Sequence, residues 1–236
     1  MGVSTGIENC YTECKFYGMT SAMSNPPSLR DSKKAATRLM ISNVATRLFV
    51  ERGFENVSID EIAIEAGVAR KTVFNYFPRK EDLVFDREEE SRELVRQALA
   101  ARGEQPPVPV FQALMRALLD EQHPMLRINR RPIQFWGAVA DSPSLTLRAR
   151  ELQGTLTDDL AGMLADAVGR PHADPEARLA AAMLMGTLVV AYGEALRAFR
   201  AKRKAGEALA SVMERGFAGV NAALAGTAYV DRKPKA

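Results

Sequence analysis

Between Ser58 and Asp82 the chain reads SIDEIAIEAGVARKTVFNYFPRKED, and few backbones satisfy that stretch. Ser58 followed by Glu61 is a capping box: the hydroxyl can accept from the amide three residues on, and the carboxylate can reach back. Val57 and Ile62 stand at the two positions of a hydrophobic staple. Ile59, Ile62, Ala63 and Ala66 return at helical spacing and give one apolar face. Gly67 allows the left-handed backbone of a sharp turn. Arg70 to Phe77 then reads as a second helix, stopped by Pro78 because proline brings no amide donor. Two short helices joined by a glycine-bearing turn form the helix-turn-helix pattern.

A longer helix is expected before it, from about Ser32 to Arg52, with Ala36, Leu39, Met40, Val44, Ala45, Leu48 and Phe49 revisiting one face. Gly53 would cap it, with Phe54 as the apolar contact beyond. Leu48, Phe49 and Phe54 are expected to pack with Ile59, Ile62, Val68, Val73 and Phe77, closing a three-helix unit over residues 31–80. Charge follows this division. Of the chain's net +3, the stretch from Arg30 to Lys80 carries +4, from ten basic and six acidic residues, and the remainder −1. A basic surplus confined to this unit suits a phosphate-rich partner there.

Residues 1–30 are polar and without period, and read as a disordered tail. Met19 and Met23 are alternative starts to Met1. Cys10 and Cys14 lack the second pair or nearby His that a zinc site needs, and read as thiols in a reducing compartment. The longest apolar run, Leu179 to Tyr192, falls short of the about 18 residues that span a bilayer, and no secretory signal is read. A cytoplasmic protein is expected.

Beyond residue 80 the patterns are helical throughout: a charged helix over about 80–101 with the acidic run 86–90 on a solvated face, then helices over 110–122, from 125 or 131 to 140, and over 144–168, 175–203 and 206–225. The prolines at 124, 132, 143 and 175 and the break at 103–109 punctuate them. The chain is expected to be all-α, with a larger helical domain over 81–227 and a tail over 228–236.

The run TRLMISNVATRLFVERGFENVSIDEIAIEAGVARKTVFNYFPRKEDLV resembles the N-terminal domain of TetR-family transcriptional regulators. Ala45, Leu48, Phe49, Gly53, Phe54, Ile59, Ile62, Ala63, Ala66, Gly67, Val68, Thr72, Phe77, Lys80, Glu81 and Leu83 carry the match, over roughly residues 35–85. Three positions depart from the family pattern. Phe74 stands where a Tyr commonly bonds a phosphate, Ala69 replaces a capping Ser, and Arg79 replaces a small polar cap.

The resemblance implies a second helix entering the major groove of double-stranded DNA. Arg70 and Lys71 at its start can donate to guanine, and Thr72 can touch a base or a phosphate. Asn75 can pair with adenine, although solvent is an equal alternative, and Tyr76 is expected exposed and aimed at a phosphate. Lys80 is expected on phosphate with the amides of the next helix, and Ser58 on the opposite strand. Phe74 and Phe77 are assigned to packing.

For the C-terminal domain the resemblance implies effector binding and dimerisation. The candidate homodimer surface is Leu184, Thr187, Ala191, Val212, Phe217, Val220 and Leu224, with Ala180 and Ala218 beside them. Candidate pocket residues are Phe111, Leu114, Met115, Leu118, Phe135, Trp136, Met163, Met183, Tyr192 and Phe199, although such stripes also serve as plain core. Arg127, Arg130 and Arg131 could meet an anionic ligand or lie in a solvated turn. The expected ligand is a small hydrophobic or amphipathic molecule.

No cofactor, metal or membrane partner is expected. His123 and His172 stand alone, and Asp158–Asp159 and Asp174–Glu176 read as caps and exposed faces, so no catalysis is expected. Two functions fit: a ligand-responsive dimeric repressor on a palindromic operator, or an effector-independent DNA-binding protein whose helical domain only dimerises.

Overall fold

Ile41, Ala45 and Leu48 recur every three or four residues along the first helix, and all are almost fully buried. They form the floor on which the helix-turn-helix stretch folds. The computed structural model describes residues 29–86, 88–123 and 125–231, and among these every regular element is helical. The order is α1 (Leu29–Arg52), α2 (Ile59–Glu65), α3 (Arg70–Tyr76), a 3₁₀ turn (Lys80–Leu83), α4 (Glu88–Ala100) and α5 (Pro107–Asp120). There follow α6 (Arg130–Asp141), α7 (Pro143–Val168), α8 (Pro175–Arg200) and α9 (Ala205–Ala223). The chain is all-α. Cys10, Cys14, Met19 and Met23 lie outside the described residues.

The chain divides into two compact units. The first holds the described residues up to 86 together with Ala138–Arg148, and the second holds Glu88–Gly137 and the chain from Ala149 on.

In the first unit, Ile41, Ala45, Leu48, Val57, Ile62, Ala63, Val73, Phe77 and Leu83 form one buried cluster. Each fully buried Leu, Ile or Phe adds about 1.5–3 kcal/mol by leaving water. The apolar face of α1 differs from the sequence reading at its N-terminal end: Leu39 and Met40 are exposed, and Ile41 with the hydroxyl of Ser42 faces inward. The expected long helix over 80–101 is in fact broken. Leu83 is buried in the first unit and Asp86 accepts the hydroxyl of Ser42, so residues 80–86 are tied to that unit. Segment Ala138–Arg148 joins the same unit through buried Val139 and Leu145. Its Ser142 Oγ donates to Glu55 Oε1 at 2.6 Å, and its Arg148 Nε to Asp82 Oδ1 at 2.7 Å.

In the second unit, α5, α7, α8 and α9 share a core that includes Val108, Phe111, Met115, Leu164, Leu184, Leu209, Met213 and Phe217. Two polar links bind α5 to α9. The buried Gln112 amide pairs with that of Asn221 at 3.0 Å, and Arg116 makes a two-pronged bond to Glu214 at 2.6 and 2.8 Å. The expected tail from 228 starts later, because Tyr229 is fully buried and its carbonyl accepts the Val108 amide at 3.1 Å. Helix α8 is long and apolar enough, by length and composition, to cross a membrane. The sequence reading stopped its apolar run at Arg178 and Glu194. Ala177, Ala180, Ala181, Leu184, Ala191 and Ala195 on it are buried in the second unit's own core.

Candidate nucleic-acid interface and ligand cavity

The helix-turn-helix is held by short-range bonds. The Glu61 amide donates to Ser58 Oγ at 3.2 Å, and the Ser58 amide donates to Glu61 Oε2 at 2.8 Å, closing the capping box at the start of α2. The amide and hydroxyl of Ser58 hold the Glu61 carboxyl below its usual value. Gly67 has φ +64°, the left-handed conformation of the turn into α3. Ala69 gives α3 no side-chain cap. The far end of α3 is satisfied instead: Arg38 Nη1 on α1 donates to the Tyr76 carbonyl at 2.8 Å, and its guanidinium lies 4.3 Å from the centre of the Phe77 ring.

Sequence reading passed over Arg38, since its partner is 38 residues away. Arg38→Ala leaves that carbonyl unmet, and a hydrogen bond to a charged donor contributes about 1.5 kcal/mol. We expect a lower melting temperature for the first unit and a several-fold loss of DNA affinity. The salt dependence should stay unchanged, since Arg38 is directed at the protein and not at phosphate. A steeper or shallower salt slope in mobility shifts would contradict that assignment.

Along α3, Lys71 and Asn75 are exposed and Thr72 is half-buried. Arg70 is exposed but engaged: Nη1 donates to Asp60 Oδ2 at 2.9 Å, and the guanidinium lies 5.5 Å from the Phe74 ring centre. Four expectations need revision. Phe74 is 38% exposed and not a packing residue. Tyr76 is half-buried against the core and not fully exposed. Ser58 is exposed, but its hydroxyl is engaged in the cap. Lys80 turns inward: Nζ donates to the Phe54 carbonyl at 2.5 Å and lies 4.2 Å from the Phe54 ring centre. Burial pulls its ammonium below the usual lysine value, against the raising effect of Glu55, Glu81 and Glu61. Lys80 closes the end of α1 before it can serve a phosphate.

The second unit has a partly open cavity of about 180 Å³. Of the expected lining residues, Phe111, Met115 and Met163 are there. Leu118 is buried in the core beside it, and Leu114 and Met183 pack partly against that core. Phe135, Trp136 and Tyr192 form a separate aromatic chain, with ring centres 5.2 and 6.1 Å apart, and burial raises the Tyr192 hydroxyl above its usual value. Phe199 is half-buried and lines no part of the cavity. Arg127 is exposed, and the side chains of Arg130 and Arg131 lie outside the described ones. Sequence reading missed Arg92 and Asp159, which meet on the cavity wall: Arg92 Nε donates to Asp159 Oδ2 at 2.6 Å. Their 67-residue separation left no local signal. Asp159 is thus no exposed-face residue.

The expected dimer surface is corrected. Leu184, Ala191, Phe217, Val220 and Leu224 are buried within this chain, Val212 packs against the same core, and Thr187 faces Gly216 of α9. Helices α8 and α9 are apolar on more than one face, and periodicity picked the inner one. The outward side of α8 carries Leu179, Val189 and Val190, each about half exposed.

Comparison with known proteins agrees with the geometry of the head. The family described as "Bacterial regulatory proteins, tetR family" matches residues 41–86. A 48-residue stretch, 20% of this chain, is 46% identical to the protein of Mycobacterium tuberculosis named "Putative mycofactocin biosynthesis transcriptional regulator MftR". The match spans about a quarter of the length of the curated relatives, 24% and 26%. Two solved structures share the fold over most of the chain. One is NalD, described as the secondary repressor of the MexAB-OprM multidrug efflux pump in Pseudomonas aeruginosa: 19% identity, TM-score 0.51, 78% of this chain and 97% of that one. The other is the SmeT–triclosan complex: 19% identity, TM-score 0.50, 78% of this chain and 91% of that one. Residues 41–86, with their capped α2, glycine turn and exposed α3, belong to the tetR family of bacterial regulatory proteins as its DNA-binding helix-turn-helix domain.

Proposed function

We propose that the chain is a sequence-specific transcriptional regulator, a homodimeric repressor that binds a palindromic operator and is released by a small apolar or amphipathic effector. The observation that carries this is α3: a short helix whose far end is held by Arg38, with Arg70, Lys71 and Asn75 on its outer side. Such a helix can enter a major groove, where Arg or Lys reads guanine and Asn reads adenine. Thr72 and Tyr76 stand at its edges, where a backbone phosphate is within reach of a hydroxyl, and Ser58 offers the amide end of α2. Lys80 contributes by fixing α1 against the turn. The second copy docks through the outward side of α8, around Leu179, Val189 and Val190, because a palindrome calls for two reading heads.

Effector release uses α7. Its Leu156, Asp159, Leu160 and Met163 line the cavity, while its first residues, through Leu145 and Arg148, pack in the first unit, where Arg148 holds Asp82 of the 3₁₀ turn. A ligand that shifts α7 therefore acts on the residues that brace the reading head. It favours a state in which two heads no longer match the operator. The triclosan bound by SmeT is a precedent for a small apolar ligand in this fold.

The test is a mobility shift on DNA flanking the protein's own gene, across several salt concentrations, with the Arg70→Ala/Lys71→Ala double variant alongside. Wild type should bind saturably and selectively. The double variant should lose about 100-fold or more, since each two-pronged base contact contributes about 1–3 kcal/mol of discrimination. Weak binding that vanishes with salt and is equal in both proteins would leave only phosphate attraction and defeat the reading.

A further inference from the structure

The two charged residues on the cavity wall already satisfy each other, and the balance around them is uneven. Arg92, only 15% exposed, lies 2.6 Å from Asp159, 3.7 Å from Glu88 and 3.5 Å from Glu89. Three carboxylates surround one guanidinium. Arg96 adds one positive charge farther out, but it is shared with Glu89 and Glu93. Among the described contacts, Asp159 has Arg92 as its one ionic partner, while Arg92 has two others in reach on its own helix.

This asymmetry decides which charge can enter. An anionic head would engage Arg92 and leave Asp159 facing a like charge with no cation to replace it. A cationic head can take Asp159 while Arg92 stays paired with Glu88 and Glu89, so that no charge is stranded. The rest of the wall suits an apolar cation. Apart from Ser91 it is apolar, and beside its valine and leucines it includes Phe111 and four methionines, Met115, Met125, Met163 and Met185, whose thioethers are polarisable and adapt in shape. At about 180 Å³ the cavity is smaller than the roughly 300–1,000 Å³ of most ligand pockets, so the molecule is small or the methionines yield to it.

Resting on the reading of this cavity as the effector site, we propose that its ligand is a small apolar molecule bearing one positive charge, of the alkyl- or arylalkyl-ammonium class. Its head replaces Arg92 on Asp159. The exchange frees α7 from α4 at an ion pair that joins them on the cavity wall, and this is the movement the release mechanism requires.

Three probes of nearly equal size separate the possibilities: 2-phenylethylammonium, 2-phenylethanol and phenylacetate. They are titrated calorimetrically at pH 7 into the full-length protein and into Asp159→Asn. The ammonium should bind at least 10-fold more tightly than the alcohol, and phenylacetate most weakly. Asp159→Asn should bring the ammonium down to the alcohol's affinity without changing the alcohol's own. Met163→Phe, which fills the cavity, should weaken all three. Phenylacetate binding as tightly as the ammonium would overturn the charge assignment while leaving the cavity an effector site. Binding of none of the three, in protein that still shifts DNA, would remove the effector reading and this inference with it. The ranking of the three probes is read on the wild-type protein, so the inference can fail even if both variants misfold.

Discussion

Replacing Phe77 by alanine should cost the first unit about 3–5 kcal/mol, the usual penalty for emptying a large aromatic from a core. Phe77 is fully buried, packed within the cluster that joins α1, α2 and α3, and it carries the Arg38 guanidinium on its face. Whole domains are stable by only about 5–15 kcal/mol, so the loss takes much of what holds the reading head together. In a thermal scan followed by circular dichroism, an early partial transition should appear. At room temperature, DNA binding should drop by more than the Arg70→Ala/Lys71→Ala variant shows in high salt. An unchanged melting curve with unchanged binding would mean that Phe77 does not hold α3 in place.

Gly216→Ala should destabilise the second unit even though alanine is the better helix former by about 1 kcal/mol. A Cβ on Gly216 would stand 2.3 Å from both Cγ2 and Oγ1 of Thr187 and 2.8 Å from its Cβ. Threonine is branched at Cβ and has few rotamers to retreat into. Overpacking of this kind costs about 1–3 kcal/mol. Thr187→Ala should relieve most of it, removing the two atoms at 2.3 Å and keeping only the Cβ at 2.8 Å. In urea unfolding, the Gly216→Ala/Thr187→Ala pair should therefore be more stable than Gly216→Ala alone, with a coupling of about 0.5–3 kcal/mol. Strict additivity of the two changes would show that α8 and α9 do not approach closely here.

That glycine also shows where sequence reading has its limit. Thr187 was assigned to a surface between two copies because small residues recur along α8, and small residues permit close approach. They do so here, but between α8 and α9 of one chain. A helix with apolar residues on two faces has two possible inner sides, and periodicity cannot choose between them. The same ambiguity placed Leu184, Phe217 and Val220 outside when they are core, and left Val189 and Val190 unnoticed.

Short-range chemistry was readable. The capping box at Ser58 and Glu61, the positive φ at Gly67, the staple of Val57 and Ile62 and the position of α3 each depend on residues within a few places of one another. Their geometry follows from the local backbone. Even the missing cap at Ala69 could be foreseen.

By itself, then, the sequence determined an all-α chain, the three-helix head and the residues lying along its reading helix. The tertiary structure alone decided the rest. It turned Lys80 onto the Phe54 carbonyl, set Arg38 at the end of α3, engaged Arg70 with Asp60, brought Ala138–Arg148 into the first unit and paired Arg92 with Asp159 on a cavity wall. Long, flexible charged side chains have no preferred partner within one turn of helix. Which carboxylate or carbonyl they meet depends on which elements pack together, and that is settled by burial summed over the whole core.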